Sequence, residues 1–269
     1  MSDAPRFGAK EIQALRQATG AGILACRQAL TETDGDLEKA TRWLREQGLL
    51  SAAKRAERER AEGAVSVVVT GGGRLGGVVA LECETDFVAK SADFVGLVDA
   101  LAESLAEGGE PALAAHEAEL ERLRDVLKEN IAIGRTARFV VEDEAVLESY
   151  LHVQNGRGVN GVLVELTGGS AELAHDIAIH IAFARPEYLR REEVPAELVE
   201  AERETILAIA RNENKPEAQL DKIVEGRLNG WYKERVLLDQ AFARDDKKSV
   251  AQVLGSAEVR RFAQVVVGA

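Results

Sequence analysis

Two valine-rich runs separated by three glycines constrain this chain more than any other feature. Residues 64–70 hold Val65, Val67, Val68 and Val69, residues 75–82 hold Val78, Val79 and Leu81, and Gly71, Gly72 and Gly73 stand between them. β-branched side chains favour extended backbone, and consecutive glycines reach left-handed angles that other residues avoid. The pattern predicts an antiparallel hairpin. In letters, Gly71, Gly73 and Gly76 also match the Gly-x-Gly-x-x-Gly of a dinucleotide-binding loop. That loop must lead at once into a helix whose N-terminus faces the pyrophosphate. A valine-rich strand follows instead, so the hairpin is the better reading.

The same order recurs, through a second glycine turn at Asn155-Gly156-Arg157-Gly158. Strands are expected at 138–141, 146–153 and 161–166, and Gly77-Val78-Val79-Ala80-Leu81 parallels Gly161-Val162-Leu163-Val164-Glu165. Each hairpin leads into apolar residues at helical spacing. After the first come Phe94, Leu97, Val98, Leu101 and Leu105 on a helix starting near Ser91. A second helix then carries Leu113, Leu120, Leu123 and Leu127 and ends near Gly134. After the second hairpin come Leu173, Ile177 and Ile181. The expected core is a duplicated α+β unit with helices packed on antiparallel sheet.

Helical patterns flank that core. Residues 1–50 read as three short helices. Ile12, Leu15 and Ala18 face inward on the first, Ile23, Cys26, Ala29 and Leu30 on the second, and Leu37, Ala40 and Leu44 on the third. Asp36 is placed to cap the third helix, and Gly48 to stop it. Residues 51–63, with the basic run from Lys54 to Arg60, read as a solvated helix or linker. Core halves follow at 64–142 and 143–194. Residues 195–235 form a helical hairpin, with Val199, Ile206 and Ile209 on one arm and Leu220, Ile223, Val224, Leu228 and Trp231 on the other. Residues 236–269 return to the core with a last helix carrying Val250, Val253 and Leu254.

Several function classes lack support. A formal net charge of −12 opposes general nucleic-acid binding, which needs a basic face. No run of eighteen apolar residues and no signal-like N-terminus is present, and Cys26 and Cys83 form no disulfide framework, so a reducing cytoplasm is expected. No Gly-x-x-x-x-Gly-Lys-Ser/Thr loop exists to hydrolyse GTP. His175 and His180 are five residues apart, about 140° around a helix, and cannot share a metal. No metal or cofactor is expected. A cysteine hydrolase using Cys83 has no sequence feature in its favour.

The segment Glu84-Thr85-Asp86-Phe87-Val88-Ala89-Lys90 sets a large aromatic among charges between a strand and a helix. Two readings stand open. Phe87 is either the first core contact of the following helix, or an exposed aromatic on a rigid loop, as interface hot spots are presented.

These segments together resemble the elongation factor Ts family across nearly the whole chain. The N-terminal match comprises Leu15-Arg16, Thr19-Gly20-Ala21-Gly22, Cys26, Ala29-Leu30, Gly35-Asp36, Ala40, Trp43-Leu44-Arg45 and Gly48. The second is Thr85-Asp86-Phe87-Val88-Ala89-Lys90 with Phe94, and the third is Lys222-Ile223-Val224-Glu225-Gly226-Arg227, Leu237-Leu238-Asp239-Gln240 and Asp245-Asp246. Departures are Ile23 and Leu24 where the family has methionines, Ala25 for an acidic residue, Ser91 for an asparagine that can cap equally well, and Ala241 for a proline.

The resemblance implies a UBA-like N-terminal module and a guanine nucleotide exchange factor for elongation factor Tu, without chemistry of its own. It implies that Arg16, Thr19, Gly20, Ala21 and Gly22 belong to a module gripping the partner's nucleotide domain. Thr85, Asp86, Phe87 and Val88 would insert between that domain's helices and disturb its magnesium and phosphate site. GDP, GTP and magnesium would be met only through the partner, with no direct nucleic acid and no membrane. The rival reading is a binding module with another protein client.

Overall fold

The computed structural model describes residues 7–19, 21, 23–56, 58–142 and 144–268, and the side chains of all of these except 48–56. The chain divides between Glu59 and Arg60 into two units. The first unit is three helices, α1 (Ala9–Thr19), α2 (Ile23–Glu32) and α3 (Leu37–Ala56). Leu15, Cys26, Ala29, Leu30 and Ala40 form its core, with Ile12, Trp43 and Leu44 packed against them. Asp36 Oδ1 accepts from the Lys39 N–H at 3.0 Å, the expected cap of α3.

Two expectations change here. Ala18, Ile23 and Leu37 do not face inward; all three are exposed. Periodicity defines a helical face but not how far a facing helix reaches along it, and these residues lie beyond that reach. Gly48 does not stop α3, which continues to Ala56. A glycine inside a helix costs only about 1 kcal/mol, and the residues after it are strong helix formers. The segment expected as linker, 51–63, is therefore helix as far as Ala56 and strand from Glu62.

The second unit begins with β1 (Glu62–Thr70) and β2 (Leu75–Cys83), antiparallel, with Thr70 opposite Leu75. Gly71, Gly72 and Gly73 all take positive φ, between 59° and 87°, which makes the turn. The chain then runs through α4 (Asp86–Ala89), α5 (Ala92–Gly108), α6 (Glu110–Leu113), a 3-10 turn and α7 (Glu117–Leu127) to β3 (Ala132–Val140). β3 lies beside β2, giving the order β1-β2-β3. The second half repeats this course. β4 (Val146–Gln154) and β5 (Arg157–Thr167) form a hairpin. The excursion that follows comprises α8 (Ala171–Ala184), α9 (Ala196–Asn212), α10 (Glu217–Arg235), β6 (Ala241–Phe242), β7 (Asp245–Ser249) and α11 (Val250–Leu254). It ends in β8 (Glu258–Val266), which lies beside β5.

The two sheets bury Val65, Val78, Ala80, Phe139, Leu147, Leu163 and Val265 between them. α5 covers the outer face of the first sheet, through Phe94, Leu97, Leu101 and Leu105. α8 covers the outer face of the second, through Ala174, Ile177 and Ile181. The repeat is real, but Gly77 and Gly161 are not equivalent. A Cβ on Gly77 would sit 2.4 Å from the Ala102 carbonyl oxygen of α5, whereas one on Gly161 would sit 2.7 Å from Val65 between the sheets. Side chains alternate faces along a strand, so a one-residue slip exchanges them. Gly76, facing Leu147 and Leu163 between the sheets, is the counterpart of Gly161.

Three further elements differ from expectation. α7 ends at Leu127, not near Gly134, because Lys128 turns left-handed at φ 59°. Arg124 Nε then donates to the Ile131 carbonyl at 2.7 Å and ties the exit down. Gly134 lies inside β3, where a Cβ would meet Glu82 Oε1 at 2.3 Å. The tail adds the expected helix as α11, then continues into a further strand, β8. The helical hairpin α9–α10 has its own small core of Ile206, Val224 and Leu228, but Ile209 is exposed.

The returning C-terminal segment is fixed by buried polar contacts. His180 Nε2 and Gln240 Oε1 are 3.0 Å apart, and His180 Nδ1 accepts from the Ala243 N–H at 3.1 Å. That arrangement places the proton on Nε2, and burial holds the imidazole below its ordinary pKa. Asp239 accepts two bonds from Arg191, both 2.8 Å. The motif residues Asp239 and Gln240 thus serve the fold directly.

Candidate functional site

Thr85, Asp86, Phe87 and Val88 form a single tight turn between β2 and α5. Thr85 is the N-cap of α4, with φ −126° and ψ 152°, and its hydroxyl accepts from the Val88 N–H at 3.4 Å. Val88 and Ala89 are buried against the first sheet and α5. Successive helical residues are about 100° apart, so with Val88 and Ala89 inward, Phe87 is turned away. Its side chain is 85% exposed. The reading of Phe87 as a core contact is therefore excluded, and Val88 takes that part. Leaving a phenylalanine in water forgoes about 1.5–3 kcal/mol of burial.

The turn is braced on both sides. On its outer side, Lys90 Nζ lies 2.5 Å from Asp86 Oδ2. That hydrogen bond, with the charges of Lys90 and Arg157, holds the Asp86 carboxyl below the usual carboxylate range. On its inner side, Cys83 Sγ donates to the Thr85 carbonyl at 3.2 Å. Glu129, just before β3, accepts from the Glu84 and Thr85 amides at 3.0 and 3.1 Å and from the Thr85 hydroxyl at 2.5 Å. The Asn130 N–H returns a bond to Glu84 Oε1 at 2.7 Å. Nothing local in sequence pointed to Glu129, one of many scattered acidic residues, because its partners lie about 45 positions earlier.

Ser91 stands at the N-cap position of α5 but does not cap it as expected. Its hydroxyl donates backward to the Val88 carbonyl at 2.8 Å, closing α4 instead. Cys83 is fully buried, with its Sγ bonded to the Thr85 carbonyl. Burial, then the neighbouring Glu129 charge, pushes its thiol up to about 12. Among the described residues, no group of three or more His, Cys, Asp and Glu is placed to hold a metal ion. Among them also, no helix is long and apolar enough to cross a membrane.

In the first unit, Arg16 is exposed in the last turn of α1. Thr19 is turned to its own helix, donating to the Leu15 carbonyl at 2.6 Å and accepting from the Ala21 N–H at 3.4 Å. Ala21 packs on the core. Gly20 and Gly22 lie outside the described residues. Directly after them, Ile23 and Leu24 are 56% and 81% exposed. In the second half of the core, Phe183 at the end of α8 is 78% exposed. It borders a groove also lined by Tyr150, His152 and Arg157. Ile23 is expected in the core from its spacing, Leu24 stands out only as a departure from the family's methionine, and no pattern marks Phe183; exposure depends on tertiary packing that a helical pattern does not report.

A family profile described as Elongation factor TS matches residues 84–269, beginning at the strand end that leads into the Phe87 turn. An Elongation factor Ts of Renibacterium salmoninarum is 45% identical, covering 98% of this chain and 99% of its own length. Those of Paenarthrobacter aurescens and Acidothermus cellulolyticus are 44% and 43% identical, covering 94% and 97% of this chain and 95% and 98% of their own lengths. The profile spans most of the chain and the relatives span nearly all of it, with the braced Phe87 turn inside both: this chain belongs to the elongation factor Ts family and is a translation elongation factor.

Proposed function

We propose that this chain is a guanine nucleotide exchange factor for elongation factor Tu, working by binding energy alone. One observation carries the reading: an aromatic side chain held in water on a turn that is fixed from both sides. A free protein gains nothing from such an arrangement, whereas a partner with an apolar cleft does. In this reading Phe87, with Thr85, Asp86 and Val88 as its mount, enters the nucleotide-binding domain and displaces the elements that hold magnesium and phosphate. The chain meets GDP, GTP and magnesium only through that partner.

Magnitudes favour a distributed mechanism. A thousandfold faster GDP release requires about 4 kcal/mol of differential stabilisation. Burying one phenylalanine supplies about 1.5–3 kcal/mol. The remainder must come from other surfaces. Arg16, Ile23 and Leu24 on the helical module and Phe183 on the second core half are the exposed groups suited to supply it. Adding the chain to elongation factor Tu loaded with fluorescent GDP should accelerate release by about a hundredfold or more, the range these burials allow. Unchanged release would exclude the proposal.

A further inference from the structure

We infer that Glu129 is a positioning residue for the exchange reaction: its carboxylate sets the Thr85 turn so that Phe87 is presented outward before a partner arrives. This rests on the exchange reading above. The geometry is specific. Glu129 Oε2 accepts from two successive amides, Glu84 at 3.0 Å and Thr85 at 3.1 Å, while Oε1 accepts from the Thr85 hydroxyl at 2.5 Å. Two neighbouring N–H groups pointing the same way make a small anion-binding concavity, which this carboxylate fills. Such charge-assisted bonds are about twice as strong as neutral ones.

The third bond passes the constraint on to the helix. A threonine hydroxyl has one proton and two lone pairs. With its proton committed to Glu129, Thr85 Oγ1 offers a lone pair to the Val88 N–H, the contact that caps α4. α4 has only four residues, too few to hold helical geometry unaided. Glu129 itself is anchored, since it sits between the left-handed Lys128 and the Asn130 amide bonded to Glu84. Fixing a loop in its bound conformation lowers the ordering cost of association. The clamp therefore spares the partner the work of ordering the turn.

The test compares the unaltered 269-residue chain with Glu129→Gln, which keeps the side-chain size, and Thr85→Val, which removes the hydroxyl. Amide hydrogen exchange at Glu84, Thr85 and Val88 is measured in the free proteins. Stimulated GDP release from elongation factor Tu is measured for each variant and for Phe87→Ala, alone and combined with Glu129→Gln. In Glu129→Gln, exchange at the three amides should rise about tenfold while α5 stays protected, and stimulated release should fall about tenfold, as expected for losing a charged hydrogen bond. Thr85→Val should give the same rise at Val88, an arm that leaves Glu129 untouched. Added to Phe87→Ala, Glu129→Gln should slow release no further, which a general loss of structure would not reproduce. Unchanged amide exchange would overturn the clamp. Faster exchange with undiminished release, or fully additive losses, would overturn its role in positioning. If Phe87→Ala itself left release unchanged, the exchange reading would fall, while the amide measurement would still decide the clamp.

Discussion

Replacing Phe87 by alanine removes a side chain that the free protein leaves 85% exposed. Little packing is lost, so the stability change should stay within about 0.5 kcal/mol. The interface loses more. If the ring is buried only in the complex that has opened the nucleotide site, the loss is the full transfer energy, about 1.5–3 kcal/mol. At 1.4 kcal/mol per factor of ten, stimulated GDP release should slow by about 10–150-fold. Some stimulation should remain, because the wider surface still binds. Stopped-flow release of fluorescent GDP from elongation factor Tu measures the effect, with a thermal melt as the folding control. An unchanged release rate with an unchanged melt would refute the wedge. A lowered melting temperature would refute the claim that Phe87 stands outside the core.

Other perturbations separate fold from interface. Leu24→Ser should leave the melt of the free chain in place but weaken binding to elongation factor Tu about tenfold, read by titration calorimetry, since Leu24 is 81% exposed. Gly161→Ala should cost about 1–3 kcal/mol in urea unfolding, because the new methyl would lie 2.7 Å from Val65 between the sheets. His180 is buried and neutral, with its folded pKa below the ordinary 6.5, so the unfolded chain binds the extra proton first. Stability should therefore fall as pH drops below about 6.5, and the slope of melting temperature against pH from 7 to 5.5 should be shallower in His180→Gln.

Much of the fold was legible because side-chain pattern and backbone preference agree. The valine runs around Gly71, Gly72 and Gly73 could be little else than a hairpin, and the stripe from Phe94 to Leu105 could be little else than a buried helix face. β8 does not read as a strand because its alternation is broken. A register shift opposite Glu165 and Leu166 puts Val259 and Phe262 on the outer face with Ala263 and Val265 on the inner one, and Arg260 and Arg261 stand side by side between them. Those arginines pair with the buried Glu165, a contact joining residues nearly a hundred positions apart. The end of α7 is hidden from the sequence pattern for a similar reason. A left-handed lysine stops the helix, and Gly134, which looks like a stop, is needed where β3 passes Glu82.

The place of the Phe87 segment between a strand and a helix was legible, but its posture was not. A phenylalanine beside Val88 and Ala89 has the same local sequence whether it turns in or out. What decides is the set of restraints on Thr85, and the strongest of these, Glu129, arrives from the far end of the α4–α7 excursion. The helical module gave the opposite lesson. Thr19 carries the family motif yet its hydroxyl is bonded to its own helix end, while Leu24, which departs from the motif, faces outward.

Exchange by strain couples two equilibria, and the coupling must run both ways. Titrating the chain into elongation factor Tu, first free of nucleotide and then saturated with GDP, measures that coupling directly. Affinity should drop with GDP by the same factor by which the chain weakens GDP binding, about a thousandfold for about 4 kcal/mol of coupling. Equal affinity for the two forms would mean that the Phe87 turn deforms nothing in the nucleotide site.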